Sequence, residues 1–323
     1  LETGVSNTYE ANESYWGKIP QFKMLKLIQL PEETTRISAL KKGEVDAAEI
    51  SISSKKTILD AGLRVKSASD AWAHAIVFFG SYLPAAGPLY NEKVRMALSL
   101  AVNRREVADY VYTGEAVPGE MFPVTPASLG FDPNLKAYPY DPDKARQLLK
   151  EAGYEKGFTI TLYTTNQAGA PELADLGQAV AGYWDKIGVK ANLVPIDWAA
   201  MRAMIVAKEQ DPKITGTTLT LGMGARGSSV SQMRLLFHSK DSYRLDNNPE
   251  VDRLIDASFA EADAAKVEDN IRKAVRIEYD NNRSLSIVRK NITLALGKTV
   301  GDMQTLKGYA YWSKLMASAT HAP

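Results

Sequence analysis

The chain has no cysteine among its 323 residues, which excludes disulfide bonds and thiolate metal sites. Histidine is nearly as scarce: His74, His238 and His321 lie far apart in sequence. None belongs to a His-Glu-x-x-His helix and no Gly-x-Ser-x-Gly elbow occurs, so metal-dependent and serine hydrolysis find no motif. A charge excess is missing too. Lysine plus arginine (39) nearly balances aspartate plus glutamate (38), and binding to nucleic acid through a basic face gains no support. No apolar run approaches the roughly 18 residues of a membrane-spanning helix. Residues 1–20 are polar, without the apolar centre of a signal peptide. Internal repeats and low-complexity tracts are absent as well.

What is present reads as alternating strands and helices, hence an α/β architecture. A length of 323 residues allows two units with separate cores. Residues 24–30 read as a strand, 32–42 as a helix stopped by Gly43, and 45–50 as a second strand. Residues 73–79 form an apolar strand-like run, and 83–88, rich in Pro, Ala and Gly, a crossing segment. Two helices follow at 92–102 and 104–112, with Asn103 as the cap between them. A long Pro-containing loop covers 119–139. In residues 138–162, YPYDPDKARQLLKEAGYEKGFTITL, Asp141 caps a helix and Pro142 takes its first position, where a missing N–H costs nothing. Ala145, Leu148, Leu149 and Ala152 form one stripe, Gly153 closes the helix, and Phe158, Ile160 and Leu162 alternate as a strand. A helix over 171–187, a strand over 189–195, an Asp197-capped helix over 198–208 and a strand over 214–221 come next. Helices at 231–237, 249–261 and 266–281 and a strand over 285–296 complete the pattern. Trp16, Trp184 and Trp312 are expected in packed interiors, whereas Trp72 and Trp198 are open between core and ligand stacking.

Two features carry chemistry on their own residue types. Gly222, Gly224 and Gly227 spell G-x-G-x-x-G after an apolar strand and before a helix, and Asp246 follows at about the distance of a ribose-binding acid. The implied function is a nucleotide-dependent oxidoreductase. Against it, residues 238–249 form a polar loop with no buried strand leading to Asp246. The second feature is the turn Thr164, Thr165, Asn166 between a strand and a helix, a place where open α/β sheets collect ligands. The same residues also serve ordinary turn and capping chemistry.

Four segments in order resemble one family. These are residues 11–50 with Asn-x-x-Tyr-Trp-Gly, a Thr-Thr-Arg helix and Gly-Glu-Val-Asp; residues 90–116 with Val-Arg-x-Ala-Leu-x-x-Ala-Val-Asn-Arg; residues 138–162; and residues 247–263 with Asn-Pro-Glu-Val-Asp. Together they resemble the peptide/nickel/opine class of solute-binding proteins that feed ABC importers. The resemblance implies a periplasmic-binding-protein-like two-lobe fold with a large C-terminal lobe. Residues 1–82 would be the remainder of the first lobe, 83–283 the second lobe, and 284–323 a return segment to the first. Family members carry a long further stretch ahead of Tyr-Trp-Gly. The chain is therefore expected to be a C-terminal portion with an incomplete first lobe, and a missing N-terminal segment of the same protein joins its expected partners.

The implied function is reversible capture of a small solute between two lobes and its delivery to a membrane permease, in the periplasm. No catalytic residue, cofactor, metal or nucleic acid enters this reading. Many members have Gly-Trp-Gly-Ala-Asp-Tyr-Pro-Asp-Pro-Asp in a loop lining the ligand cleft, where in dipeptide carriers the tryptophan and aspartate help hold the ligand. Laid on this sequence, Met223 stands for the tryptophan, Gly224 and Ala225 match, and Arg226 stands for the first aspartate. Ser228, Ser229 and Ser231 fall among the later proline and aspartate positions. No acid lies between Gly222 and Arg234, so the charge-assisted bond to an ammonium is lost. Arg226 offers instead a planar fork suited to a carboxylate or phosphate, or is simply a solvated loop arginine. The departure favours an opine, sugar acid or oligosaccharide over an ordinary peptide. Phe79 and Gly80, at the end of a strand, complete the expected ligand contacts; the family often has Asn-Thr where this chain has Gly80 and Ser81.

Overall fold

The computed structural model describes residues 6–17, 19–167, 170–207, 211–225, 229–301, 303, 319 and 320. Arg226, Gly227, Ser228, Trp312 and His321 lie outside the described residues. The chain divides into two compact units, residues 1–71 with 291–323 and residues 72–290.

In the first unit, β1 (Ser6–Glu10) pairs antiparallel with β2 (Met24–Ile28). Helix α1 (Glu33–Lys42) ends at Gly43, whose φ of 75° permits the left-handed turn that returns N–H groups to the last carbonyls. β3 (Ala47–Ile50) pairs antiparallel with residues 293–296, the end of the last strand β9 (Ser284–Leu296). After α2 (Lys55–Asp60) the chain enters β4 (Arg64–Phe78). Leu40, Ala48, Ile50, Ile58, Leu63 and Ala295 form this unit's buried core. Trp16 is a correction to the expectation of a packed interior. It is 91% exposed, lying in the irregular segment that follows β1, and it has a ring contact with neighbouring Tyr15, 5.1 Å away.

The second unit is built on a sheet with strand order β9-β4-β8-β6-β7, where β6 is Phe158–Thr165, β7 Val189–Ile196 and β8 Thr218–Gly224. The short strand β5 (Ala116–Pro118) adds to β9. Strands β6, β7 and β8 are parallel to one another, and β4 is antiparallel to β8. Alternation along β4 divides the apolar layers. Ile76 and Phe78 face a core shared with α3 (Glu92–Leu100), α4 (Arg104–Tyr110), α5 (Pro142–Glu151) and α6 (Leu173–Asp185). Ala73, Ala75, Val77 and Phe79 face the opposite core, with α7 (Trp198–Ile205), α8 (Ser229–Phe237), α9 (Pro249–Ala260) and α10 (Ala264–Asn281). A sheet covered by helices on both faces is the reason these strands read as apolar runs.

Capping follows the sequence closely. Asp141 accepts from the Lys144 N–H at 2.8 Å, Asn103 from Glu106 at 3.2 Å and Asp197 from Ala199 at 2.8 Å. Gly153 adopts φ 84° after α5. Trp184, fully buried on α6, donates its indole N–H to the Leu98 carbonyl at 3.0 Å. Arg104 is also enclosed. Its fork reaches the carbonyls of Ser286 (2.7 Å), Ser99 (3.0 Å) and Tyr138 (3.1 Å), so neutral oxygens, including one from the end of α3, carry its charge.

Two elements depart from the expected bounds. The strand expected at 214–221 starts later: Asp211 caps a 3-10 turn at Pro212–Ile214, Gly216 takes φ 77°, and β8 runs from Thr218 to Gly224. The segment at 83–88 belongs to a 3-10 helix, Pro84–Tyr90, within the second unit.

Candidate functional site

The carboxyl ends of β6, β7 and β8 each lead towards a helix, α6, α7 and α8 respectively. This strand-end wall is where an open α/β sheet meets its ligands. Met223 and Gly224 are the last residues of β8, both half-buried, and Ala225 behind them is buried. Met223 packs against the core on the α7–α10 side. Ser229, the first residue of α8, is fully buried and donates to the Leu129 carbonyl, so its hydroxyl serves the fold.

The three residues of the β6 turn take three different directions. Thr164 is buried on the α6 side, where its methyl lies 2.4 Å from the place a Cβ on Gly177 would occupy. Thr165 alternates to the other face, the face of Met223, and its buried Oγ1 has no hydrogen-bond partner. Asn166 is exposed and accepts from the Trp198 N–H at 3.3 Å, across the start of α7. Asp197 takes the next two N–H groups of that helix, at 2.8 and 3.2 Å. The N-terminus of α7 is thus already occupied by side-chain oxygens.

Phe79 and Gly80 are not brought to this wall. Because β4 runs against β8, Phe78 pairs with Thr218 at the start of β8, while Trp72 pairs with Gly224 at its end. Six strand steps of about 3.3 Å put the two ends about 20 Å apart. Phe79 is buried, its N–H bonded to the Thr217 carbonyl. Gly80 has φ 65° and no room for a side chain beside Thr215. Trp72 is thus the β4 aromatic at the wall, half-buried and edge-on to His74.

Behind the wall, His74 is fully buried with Nδ1 2.7 Å from the Tyr112 hydroxyl. Burial, and after it the charge of Lys290, holds His74 well below the usual histidine range, so it is neutral. Lys290 in turn is paired with Glu172 at 2.9 Å. A second buried cluster lies in the same unit: Arg283 is 2.9 Å from Asp246 and donates to the Ser81 carbonyl at 2.8 Å. Glu278 is fully buried beside Asp246. Burial, then the Asp246 carboxylate, pushes Glu278 well above the carboxylate range, and it holds its proton.

The first two glycines of the triplet do not form a dinucleotide turn. Gly222 and Gly224 lie inside β8, opposite His74 and Trp72, rather than in a loop opening a helix. Asp246 sits in a strandless loop, buried against Arg283. The oxidoreductase alternative loses both its phosphate turn and its ribose acid. Sequence reasoning passed over Gln167 and the wall position of Trp72. Both depend on strand register and direction, which local periodicity does not carry.

Comparison with known proteins agrees with this architecture. Residues 1–242 match the model of bacterial extracellular solute-binding proteins, family 5 Middle. The dipeptide-binding protein of Escherichia coli K12 is 31% identical over 202 residues, covering 59% of this chain and 35% of that protein. Heme-binding protein A of Haemophilus influenzae is 32% identical over 207 residues, 60% of this chain and 35% of that protein. Among solved structures, NikZ from Campylobacter jejuni, in complex with Ni(L-His), superposes with a TM-score of 0.80 at 19% identity. That superposition covers 99% of this chain and 66% of NikZ. The chain thus spans about a third of the length of these two curated relatives. On the match over three quarters of its residues, with the fold in agreement, the chain belongs to the family 5 bacterial extracellular solute-binding proteins.

Proposed function

We propose that this chain forms part of the solute-binding component of an ABC importer, capturing a small solute outside the cytoplasmic membrane and passing it unchanged to a permease. The observation that carries the reading is the strand-end wall of the second unit, residues 164–167 with 223–225, in a chain of this family. Binding requires a surface of fixed backbone and polar side chains, and no bond of the solute needs to break. Release then follows from a shift between conformations that differ in affinity. Relatives named for dipeptides and heme show that the family accommodates chemically different solutes. In this chain the stretch from Gly222 to Arg234 holds no acid. The described wall carries Asp197, whose carboxylate caps α7. A solute anchored there by an ammonium–carboxylate pair is therefore disfavoured, and one presenting carboxylates or hydroxyls is favoured.

Native mass spectrometry of protein purified from its source without denaturation tests this. Expected is a retained small molecule, exchangeable on dialysis and chemically intact on release. Turnover of the bound compound would overturn the reading.

A further inference from the structure

The side chain of Gln167 makes an unusual pair of contacts. Its Nε2 donates to the Gly222 carbonyl at 2.7 Å, and its Oε1 accepts from the Gly222 N–H at 3.1 Å. One carboxamide thereby satisfies both backbone groups of one residue, as a neighbouring strand would. The register explains the need. Leu162 pairs with Thr218 and Tyr163 with Leu219, so Gly222 would face Asn166, one residue beyond the end of β6 at Thr165. The backbone ladder has ended, yet β8 continues for Gly222, Met223 and Gly224. On its other side Gly222 is held by β4, opposite His74. Meanwhile Asn166, the preceding residue, bonds across to the first N–H of α7. The adjacent amides of Asn166 and Gln167 thus tie one turn to the start of α7 and to the end of β8.

We infer that Gln167 is a positioning residue of the strand-end wall: its carboxamide is the last rung of the β6–β8 ladder and fixes residues 222–225 against the β6–α6 turn. Its value for solute capture rests on the solute-binding reading above, while its mechanical role does not. A wall held rigid before the solute arrives avoids the ordering cost of binding. A solute touching either the turn or the end of β8 would also find the other already in place.

The test uses the full chain and amide hydrogen exchange of the Gly222 N–H by NMR, corrected for intrinsic rates. Gln167→Leu keeps the bulk and removes both bonds. Exchange at Gly222 is expected to rise tenfold or more, with the thermal midpoint monitored alongside. Gln167→Glu supplies the decisive arm. As a neutral acid it donates one O–H to the Gly222 carbonyl and accepts from the N–H, reproducing both bonds; as a carboxylate it repels that carbonyl. Protection at Gly222 in Gln167→Glu should therefore return at pH 4, below the ordinary glutamate value of about 4.3, and be lost at pH 7.5, while wild type stays protected at both. A role limited to filling space would show no such pH-dependent rescue. Unchanged exchange in Gln167→Leu, or identical protection of Gln167→Glu at both pH values, would overturn the proposal. If Gln167→Leu does not fold, the Gln167→Glu comparison alone decides. No solute is needed, so this outcome is separate from that of the native mass spectrometry.

Discussion

The Nε2 of His74 stands 3.0 Å from the point where a Cβ on Gly222 would be placed, and the Ala170 methyl stands 3.1 Å from the same point. Both neighbours are completely buried, so neither has solvent to move into. Gly222 is a glycine because two packed side chains occupy the space of a third. Gly222→Ala should cost about 1–3 kcal/mol through overpacking, with β8 displaced from β4. Urea unfolding of the two proteins measures it. A variant as stable as wild type would show that His74 has a free rotamer.

Trp184 and Leu98 carry a second expectation. Leu98 lies in the last turn of α3, where carbonyls lose their helical partners. The indole N–H of Trp184 supplies one. Trp184→Phe removes the donor, leaves a buried carbonyl unpaired and opens a small void. The expected loss is about 2–4 kcal/mol, read from the same unfolding curves. A loss under about 0.5 kcal/mol would mean the carbonyl finds another donor.

Much of this fold is legible locally. The Asp141–Pro142 start and Gly153 stop of α5, the Asn103 and Asp197 caps, and the Leu173, Leu176, Val180, Trp184 face of α6 are all written in short-range pattern. Sense and length of strands are not. β4 begins at Arg64, before the apolar run starting at Ala73, because its polar lead lies outside the region buried on both faces. Its antiparallel sense places Phe79 and Gly80 at the opposite end of the sheet from Met223 and brings Trp72 opposite Gly224. Alternation likewise separates Thr164 from Thr165, which a reading of the turn as one polar cluster treats alike. Trp16 shows the opposite failure: hydrophobic character alone does not bury a side chain.

The two buried titratable groups give opposite pH trends. Unfolded His74 takes up a proton below about pH 6.5, which the buried, neutral side chain refuses. Its contribution is therefore lost as pH falls through that value. Glu278 is reversed: the unfolded carboxyl ionises above about pH 4.3, while the folded one keeps its proton beside Asp246. The folded state then binds more protons, and stability falls as pH rises until the folded group also ionises. Each slope is bounded by about 1.4 kcal/mol per pH unit. Just above about 4.3 and below 6.5 the two trends oppose each other. Thermal melts at pH 4.5, 5.5 and 7 should show wild type gaining less, or losing more, stability with rising pH than Glu278→Gln. Parallel curves would refute the assignment.

Met223 offers the most direct question about solute chemistry. It occupies the position at which the family's pattern has tryptophan, and it stands half-exposed at the end of β8 beside a loop without acids. Met223→Asp places a single carboxylate on the wall, next to backbone already fixed by Gln167 and β4. If the captured solute presents a carboxylate there, like-charge repulsion should weaken its retention tenfold or more, about 1.4 kcal/mol. An ammonium at that point would instead be held more tightly. Calorimetric titration of both proteins with the molecule identified by native mass spectrometry separates the outcomes. Tighter binding by Met223→Asp would contradict a carboxylate at that point and leave an ammonium or a hydroxyl donor facing it.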